Sequence, residues 1–354
     1  MSHDRISGVR SFAVRLTADF FDRETPRYPD IGLGALEKYP LIQHGYFAEH
    51  HAEITSQQIL GAQGVIVLTP SVTRATLEGA SETLAIGRFG VGYDLVDVDA
   101  CTEADVAVFI TAGAVDRSVA EGTLCLMLAL SHNLLIKDRL VRTGDWDTRS
   151  KHMGSELRNR TLGVIGCGGI ARELIRLARG LNMREPLAFS PSLNEAKARE
   201  IGVRSVTLDE LLRSSDFVSI HCPLKETTRD LIGAREIGLM KRTAYLFNTA
   251  RGGIVVEDAL FEALTEKRIA GAALDCFAEE PVIRPHRFGQ LDNVILAPHS
   301  IAWTHELFHE IGAAVVAGMI EVAHGRKPHG LLNPKVYERP GFQRKLSTYR
   351  LSAR

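Results

Sequence analysis

Three ionisable residues stand just past apolar, strand-like runs: Arg251 after Ala244–Asn248, Glu280 after Ala272–Cys276, and His299 after Val294–Leu296. Histidine can give or take a proton near neutral pH, arginine is a permanent planar cation that fits a carboxylate, and glutamate supplies fixed negative charge. Singly, Arg251 beside Gly252-Gly253 reads as a loop residue, Glu280 before Pro281 as a turn, and His299 after Pro298 as a strand end. Together, at the carboxyl ends of three strands, they lie where open α/β sheets bind ligands. Such a set can hold an anion and move a proton.

A second chemical signal is Gly166-Cys-Gly168-Gly169-Ile170-Ala171. It follows the run Thr161–Gly166 and opens a helical pattern of Ile170, Leu174, Leu177, Ala178 and Leu181. Gly166 permits a tight turn, Gly168 lets backbone approach a pyrophosphate, and small Ala171 lets the helix pack on its strand. The free amides and dipole of the helix start favour an anion. An NAD-specific site would place an acid after the second strand; here the chain reads Phe189-Ser190-Pro191-Ser192. Without that acid a 2′-phosphate is not repelled, and Lys197 and Arg199 follow on the next helix. The expected cofactor is NAD or NADP, with neither strongly selected.

The elements that must position these residues alternate. Strand and helix patterns succeed one another from about residue 160 to 300, with strands expected at Pro186–Phe189, Val203–Val206 and Phe217–His221 besides those above. That alternation predicts a parallel sheet with helices on both faces. Thr207-Leu-Asp-Glu210 has the spacing of a capping box. A looser α/β unit precedes it, with strands near Phe12–Leu16, Gly64–Leu68, Leu84–Arg88 and Val106–Ile110. Long helical patterns over Ser118–Arg142 and Thr304–His324 flank the central stretch, as two crossings between domains would, and the cleft between domains is the expected site.

The chain resembles the D-isomer-specific 2-hydroxyacid dehydrogenases. Phe89-Gly-Val-Gly-Tyr-Asp94, Ser118-Val-Ala-Glu121, the Gly166 loop, His221-Cys-Pro223, Asn248-Thr-Ala-Arg-Gly-Gly253, Leu274-Asp-Cys-Phe-Ala-Glu-Glu-Pro281 and Ala297-Pro-His-Ser300 carry the likeness, in family order. The resemblance implies two doubly wound α/β domains. A Rossmann dinucleotide-binding domain, 118–302, would be inserted in a flavodoxin-like substrate-binding domain, 1–117 plus 303–354. It also implies hydride transfer between the cofactor and a small 2-keto or D-2-hydroxy acid. Arg251 would hold the substrate carboxylate and polarise the keto oxygen, His299 would act as general acid or base, and Glu280 would pair with it. Asp275 would meet the nicotinamide carboxamide, while Cys222, Pro223, Thr249 and Ala250 would line its pocket. The amides of Val91 and Gly92 would bind the substrate carboxylate, and Arg74 is a further candidate contact.

The chemistry wants the same residue types: reducing a keto carbon leaves charge on oxygen, which a proton donor and a fixed cation relieve. A carboxylate beside an imidazole favours its charged form. Two other readings are a formate dehydrogenase-like enzyme, where Gln would be expected in place of Glu280, and a non-catalytic NAD(H)-sensing binder like the C-terminal-binding corepressors.

Composition narrows the partners. The 354 residues carry 42 Lys+Arg against 43 Asp+Glu, so no global field recruits nucleic acid or an anionic membrane. Met1-Ser-His-Asp-Arg5 lacks a signal sequence, and the apolar stretch Leu124–Ile136 is too short to span a bilayer. A cytoplasmic location is expected. Cys101, Cys125, Cys167, Cys222 and Cys276 show neither zinc nor disulfide spacing, and His50-His51, His286, His305 and His309 have no metal-ligand spacing, so no metal is expected. Trp303 could wall the substrate pocket or pack on the helix after it. Because Leu124–Leu130 is apolar on every face, the Ser118–Arg142 region is expected to be buried in a homodimer. Arg339–Arg354, with Arg344, Lys345 and Arg350, reads as a solvated basic tail.

Overall fold

The computed structural model describes residues 11–28 and 30–351. The expectation for Met1–Arg5 lies outside them. Contacts divide the chain into two compact units, Met1–Val115 with Thr304–Arg354 and Asp116–Trp303.

In the first unit β1 is Phe12–Leu16, β2 and β3 (Phe21–Asp22, Thr25–Pro26) form a small antiparallel ribbon, and β4 is Ile42–Tyr46. Then come β5 (Gly64–Val67), α1 (Arg74–Leu77), β6 (Ala85–Arg88), α2 (Val98–Glu103) and β7 (Ala107–Ile110). The five parallel strands run β4-β1-β5-β6-β7. That is the flavodoxin-like order. β5 is buried throughout, as a parallel strand covered on both faces must be. The unpredicted β4, Ile42-Gln-His-Gly-Tyr46, is an edge strand whose residues are mostly exposed, so no apolar run announced it.

The second unit opens with α3 (Asp116–Ser131) and α4 (Leu134–Thr143). The single helix expected over Ser118–Arg142 is therefore two, bent by 59° at the break. Asn133 takes the left-handed conformation there, which its short polar side chain tolerates, and its amide donates to the Met153 carbonyl at 3.0 Å. Among the described residues no single helix is long and apolar enough to cross a membrane. Nor is α3 buried on every side: Cys125 and Leu128 are exposed.

There follow β8 (Leu162–Ile165), α5 (Gly169–Ala178), β9 (Leu187–Phe189), α6 (Glu195–Ile201), β10 (Arg204–Ser205), α7 (Leu208–Ser214) and β11 (Phe217–Ile220). The unit ends with α8 (Ala234–Leu239), β12 (Tyr245–Asn248), α9 (Glu257–Thr265), β13 (Gly271–Leu274) and β14 (Val294–Leu296). Seven parallel strands run β10-β9-β8-β11-β12-β13-β14, the Rossmann order with one strand added. Alternate residues enter separate cores: Ile165, Val218, Leu246 and Ala272 join one cluster, Val164, Phe217, Phe247 and Ala273 the other. Period-two alternation puts those clusters on opposite sheet faces. The Thr207 hydroxyl caps α7 by accepting from the Glu210 amide at 3.2 Å, but the Glu210 carboxylate pairs with Arg204, so half of the capping box forms.

The chain then returns to the first unit through α10 (His305–Ala323) and α11 (Pro340–Tyr349). α10 packs where a Cβ on Gly87 would collide with Val315 and Met319. α11 corrects the solvated tail. Phe342, Leu346 and Tyr349 are buried at helical spacing, and the Lys345 ammonium donates to the carbonyls of Ala80, Thr83, Ala104 and Asp105 at 2.7, 3.1, 2.8 and 3.3 Å. The basic residues between the apolar ones masked that spacing; Arg344 and Arg350 face solvent, and Arg354 lies outside the described residues.

Candidate active site

In the second unit, the carboxyl ends of β8, β11, β12, β13 and β14 gather the residues singled out from sequence. Gly166 ends β8 with φ of +90°, and a Cβ there would stand 2.7 Å from the Cys222 amide nitrogen beyond β11. Only glycine allows the two strand ends to approach so closely. Gly168 is the extended N-cap of α5, Gly169 its first residue, Ile170 is half-buried and Ala171 fully buried against the sheet. The helix start thus keeps open backbone toward a ligand and its small side chain toward the strand. These residues fit a pyrophosphate.

Ser190, after β9, has its hydroxyl 3.2 Å from that of Ser192. Lys197 and Arg199 on α6 are exposed. Cys222 is half-buried, which pushes its thiol up to about 11, and Pro223 is exposed beside it. The buried Asn248 shapes the turn after β12: its side-chain amide donates to the Arg251 carbonyl at 2.8 Å, and its oxygen accepts from the Ala250 amide at 3.2 Å. In the same turn the Thr249 hydroxyl lies 3.2 Å from that of Thr123 on α3. The half-buried Arg251 guanidinium donates to the Ala250 carbonyl at 2.8 Å. A Cβ on Gly252 would drive into the Phe277 carbonyl, so this turn and the one after β13 fit only with glycine there.

Beyond β13, Asp275 is buried, and its Oδ1 accepts from the amides of Ser300 (2.8 Å) and Ile301 (3.1 Å). Burial pushes its carboxyl above the ordinary range, against those two hydrogen bonds. Glu280 Oε1 accepts from the Phe277 amide at 2.9 Å, and its Oε2 lies 2.7 Å from His299 Nδ1. Burial alone would raise the Glu280 carboxyl. The hydrogen bonds from His299 and the Phe277 amide, with the charge of Arg251, outweigh it and hold the group below its ordinary value. Between them β13 and β14 thus present an imidazole with one nitrogen fixed by a carboxylate.

Elsewhere the placements differ. Val91 and Gly92 lie in the loop beyond β6, at the carboxyl end of the first unit's sheet. The Arg74 guanidinium is engaged by Glu103 at 2.6 Å on the exposed surface of the same unit. Trp303 is exposed in a turn whose backbone amide bonds to Ser300. His286 stacks on Phe288 and lies tilted against Phe277, 3.5 Å from Glu257. Among the described residues no group of three or more His, Cys, Asp or Glu could hold a metal ion.

One residue escaped sequence reasoning. Asp116, first in α3, lays its carboxylate on Gly169, where a Cβ would collide with it. An acid opening a helix is ordinary in sequence, and nothing local says which helix it will meet.

The D-isomer specific 2-hydroxyacid dehydrogenase, NAD binding domain, matches residues 124–300. A glyoxylate reductase of Korarchaeum cryptofilum is 37% identical over 284 residues, 79% of this chain and 85% of its own. A D-3-phosphoglycerate dehydrogenase of Methanocaldococcus jannaschii is 39% identical over 263 residues, 74% of this chain and 50% of its own. Among solved structures, a glyoxylate reductase from Paecilomyes thermophila superposes with a TM-score of 0.80 at 26% identity, covering 92% of this chain and 99% of that one.

Proposed function

The chain belongs to the D-isomer-specific 2-hydroxyacid dehydrogenases, and we propose that it reduces a small, unbranched 2-keto acid of the glyoxylate type, with His299 as the proton-carrying residue. It is a nicotinamide-dependent oxidoreductase of 2-hydroxy acids. The observation that carries the residue assignment is the 2.7 Å approach of His299 Nδ1 to Glu280 Oε2 at strand ends shared with the glycine loop. The small substrate is supported by the relatives named glyoxylate reductase.

A bound nicotinamide supplies or accepts the hydride. The chain's own residues handle charge and protons. Gly166, Gly168, Gly169 and Ile170 hold the cofactor phosphates with backbone amides. Ser190 faces the adenosine ribose; lacking an acid there, the site accepts NADP as well as NAD. Cys222, Pro223, Thr249 and Ala250 line the nicotinamide pocket, and Asp275 takes the carboxamide. Arg251 binds the substrate carboxylate, and the amides of Val91 and Gly92 are kept as candidate anion contacts of the first unit, with residues 118–302 as the cofactor domain and the rest as the substrate domain. Arg74, committed to Glu103, is left out.

In reduction, His299 Nε2 gives its proton to the developing alkoxide while Glu280 steadies the resulting charge change through Nδ1. In oxidation the same nitrogen takes the proton back. Glu280 is a carboxylate, not the amide expected of a formate dehydrogenase-like site. The relatives carry enzyme names, which supports catalysis over a corepressor-like role.

The test is steady-state turnover across a panel of 2-keto acids with NADH and NADPH, for the parent and His299→Ala. We expect kcat to drop about 10²–10⁴-fold with modest change in cofactor affinity. Near-normal kcat in His299→Ala would end the assignment.

A further inference from the structure

The Asp116 carboxylate sits on Gly169, the first residue of α5, and that helix start is the proposed phosphate loop. Two helix ends favour negative charge at this point, because Asp116 also opens α3. Among the described residues no cation neutralises it. On its own helix Arg117 turns to Glu121 and to Glu173, 3.1 Å away. On α5, the helix packed against it, Arg172 donates to the Cys167 carbonyl and Arg176 binds Glu173 at 2.7 Å. α3 also touches β12, β13 and β14, whose loops carry Arg251, Asp275, Glu280 and His299; these already bind one another or nearby backbone. Asp116 is therefore an acid with no cation partner at the helix end where a ligand would bring its own negative charge.

We propose that Asp116 is an anionic brake on dinucleotide binding: its charge opposes the cofactor's pyrophosphate, so affinity falls as this carboxylate ionises. The proposal rests on the dinucleotide assignment above. Two like charges at one helix end raise each other's free energy, and the neutral acid is favoured when the phosphates arrive. Burial, and then the charge of Glu173, already push the Asp116 carboxyl above its ordinary value. Glu173 itself is held at about 2 by hydrogen bonds from Arg176 and Arg117, overriding its burial, so its charge is constant while Asp116 titrates.

The sign follows from linkage. Cofactor raises the Asp116 pKa further, so binding takes up a proton and is tightest below the free-state value. It weakens as pH rises from that value to the higher one of the complex, then levels off.

The experiment is fluorescence titration with NADH, which has no titrating 2′-phosphate, from about pH 5 to about pH 8, on the parent and Asp116→Asn. Asparagine keeps the shape and removes the charge. We expect Asp116→Asn to bind NADH about three- to tenfold tighter than the parent at the alkaline end, with the difference shrinking toward the acid end. Should Asp116→Asn melt early, Asp116→Ser fits the same space and carries the same comparison. Superimposable pH dependences, with equal Kd at the alkaline end, would overturn the brake while leaving the dinucleotide site intact. A parent protein that binds neither NADH nor NADPH would overturn both.

Discussion

His299 Nδ1 and Glu280 Oε2 lie 2.7 Å apart although His299 is held at φ of +53°. A non-glycine residue in the left-handed region costs about 1 kcal/mol or more, so its surroundings must hold it. The holder is Asp275, whose Oδ1 takes the two amides that follow His299. A buried acid therefore fixes the backbone, and Glu280 fixes the ring. In the proposed reaction the other ring nitrogen, Nε2, is the one that meets the substrate.

That division predicts what Glu280→Gln should do. The Glu280 carboxyl lies below its ordinary value despite its burial, so it is charged throughout the neutral range and its field on the imidazole is constant. Without the carboxylate the imidazole loses the acceptor that fixes Nδ1, and kcat should fall about tenfold or more in both directions with cofactor affinity little changed. An unchanged kcat in the variant would break the pairing as a functional one.

Cofactor choice should respond to Ser190→Asp. The Ser190 hydroxyl lies 3.2 Å from that of Ser192, and the neighbouring cations Lys197 and Arg199 are exposed. A carboxylate at 190 supplies an acceptor for a ribose 2′-hydroxyl and repels a 2′-phosphate. The ratio of kcat/KM for NADH over NADPH should rise about tenfold or more. A constant ratio would place the reading of the ribose elsewhere.

The site was more legible than the packing around it. Arg251, Glu280, His299 and the Gly166 loop could be read because each follows a continuous apolar run, and parallel strands buried on both faces write such runs plainly. β4 could not, since an edge strand such as Ile42-Gln-His-Gly-Tyr46 needs few apolar residues. The break between α3 and α4 turns on Asn133, whose left-handed backbone is stabilised by contact with the carbonyl of Met153, far along the chain. Asp116 on Gly169 is likewise a contact between helices that share no local pattern.

A homodimer is expected through the region of α3 and α4, on revised grounds. Apolar side chains exposed along it include Leu128, Leu134, Leu135 and Val141, followed by Trp146 and Met153, which is 80% exposed. Neighbouring exposed apolar residues of that size mark an interaction surface. Light scattering should give the mass of two chains, and Leu134→Glu with Leu135→Glu should lower it toward one. A monomeric mass for the parent would sink the idea.

The last expectation concerns Lys345, which ties α11 to the first unit. Its ammonium donates to Ala80 and Thr83, which follow α1, and to Ala104 and Asp105, which follow α2. The Ala104 carbonyl stands at the C-cap of α2, the negative end of that helix, where a cation is favoured. Lys345→Met keeps the length and apolar stem but removes the donor, leaving four carbonyls around an apolar group. Stranding buried acceptors costs about 1–3 kcal/mol for each group left without a partner; partial hydration keeps the total near about 2–4 kcal/mol. The melting temperature should fall by several degrees, and limited proteolysis should release the segment beyond Arg339 sooner. Arg344→Met, on the exposed face of the same helix, changes charge equally and should stay within about 0.5 kcal/mol of the parent. If the two variants melt together, the carbonyl cradle contributes nothing, and Phe342, Leu346 and Tyr349 alone hold the helix down.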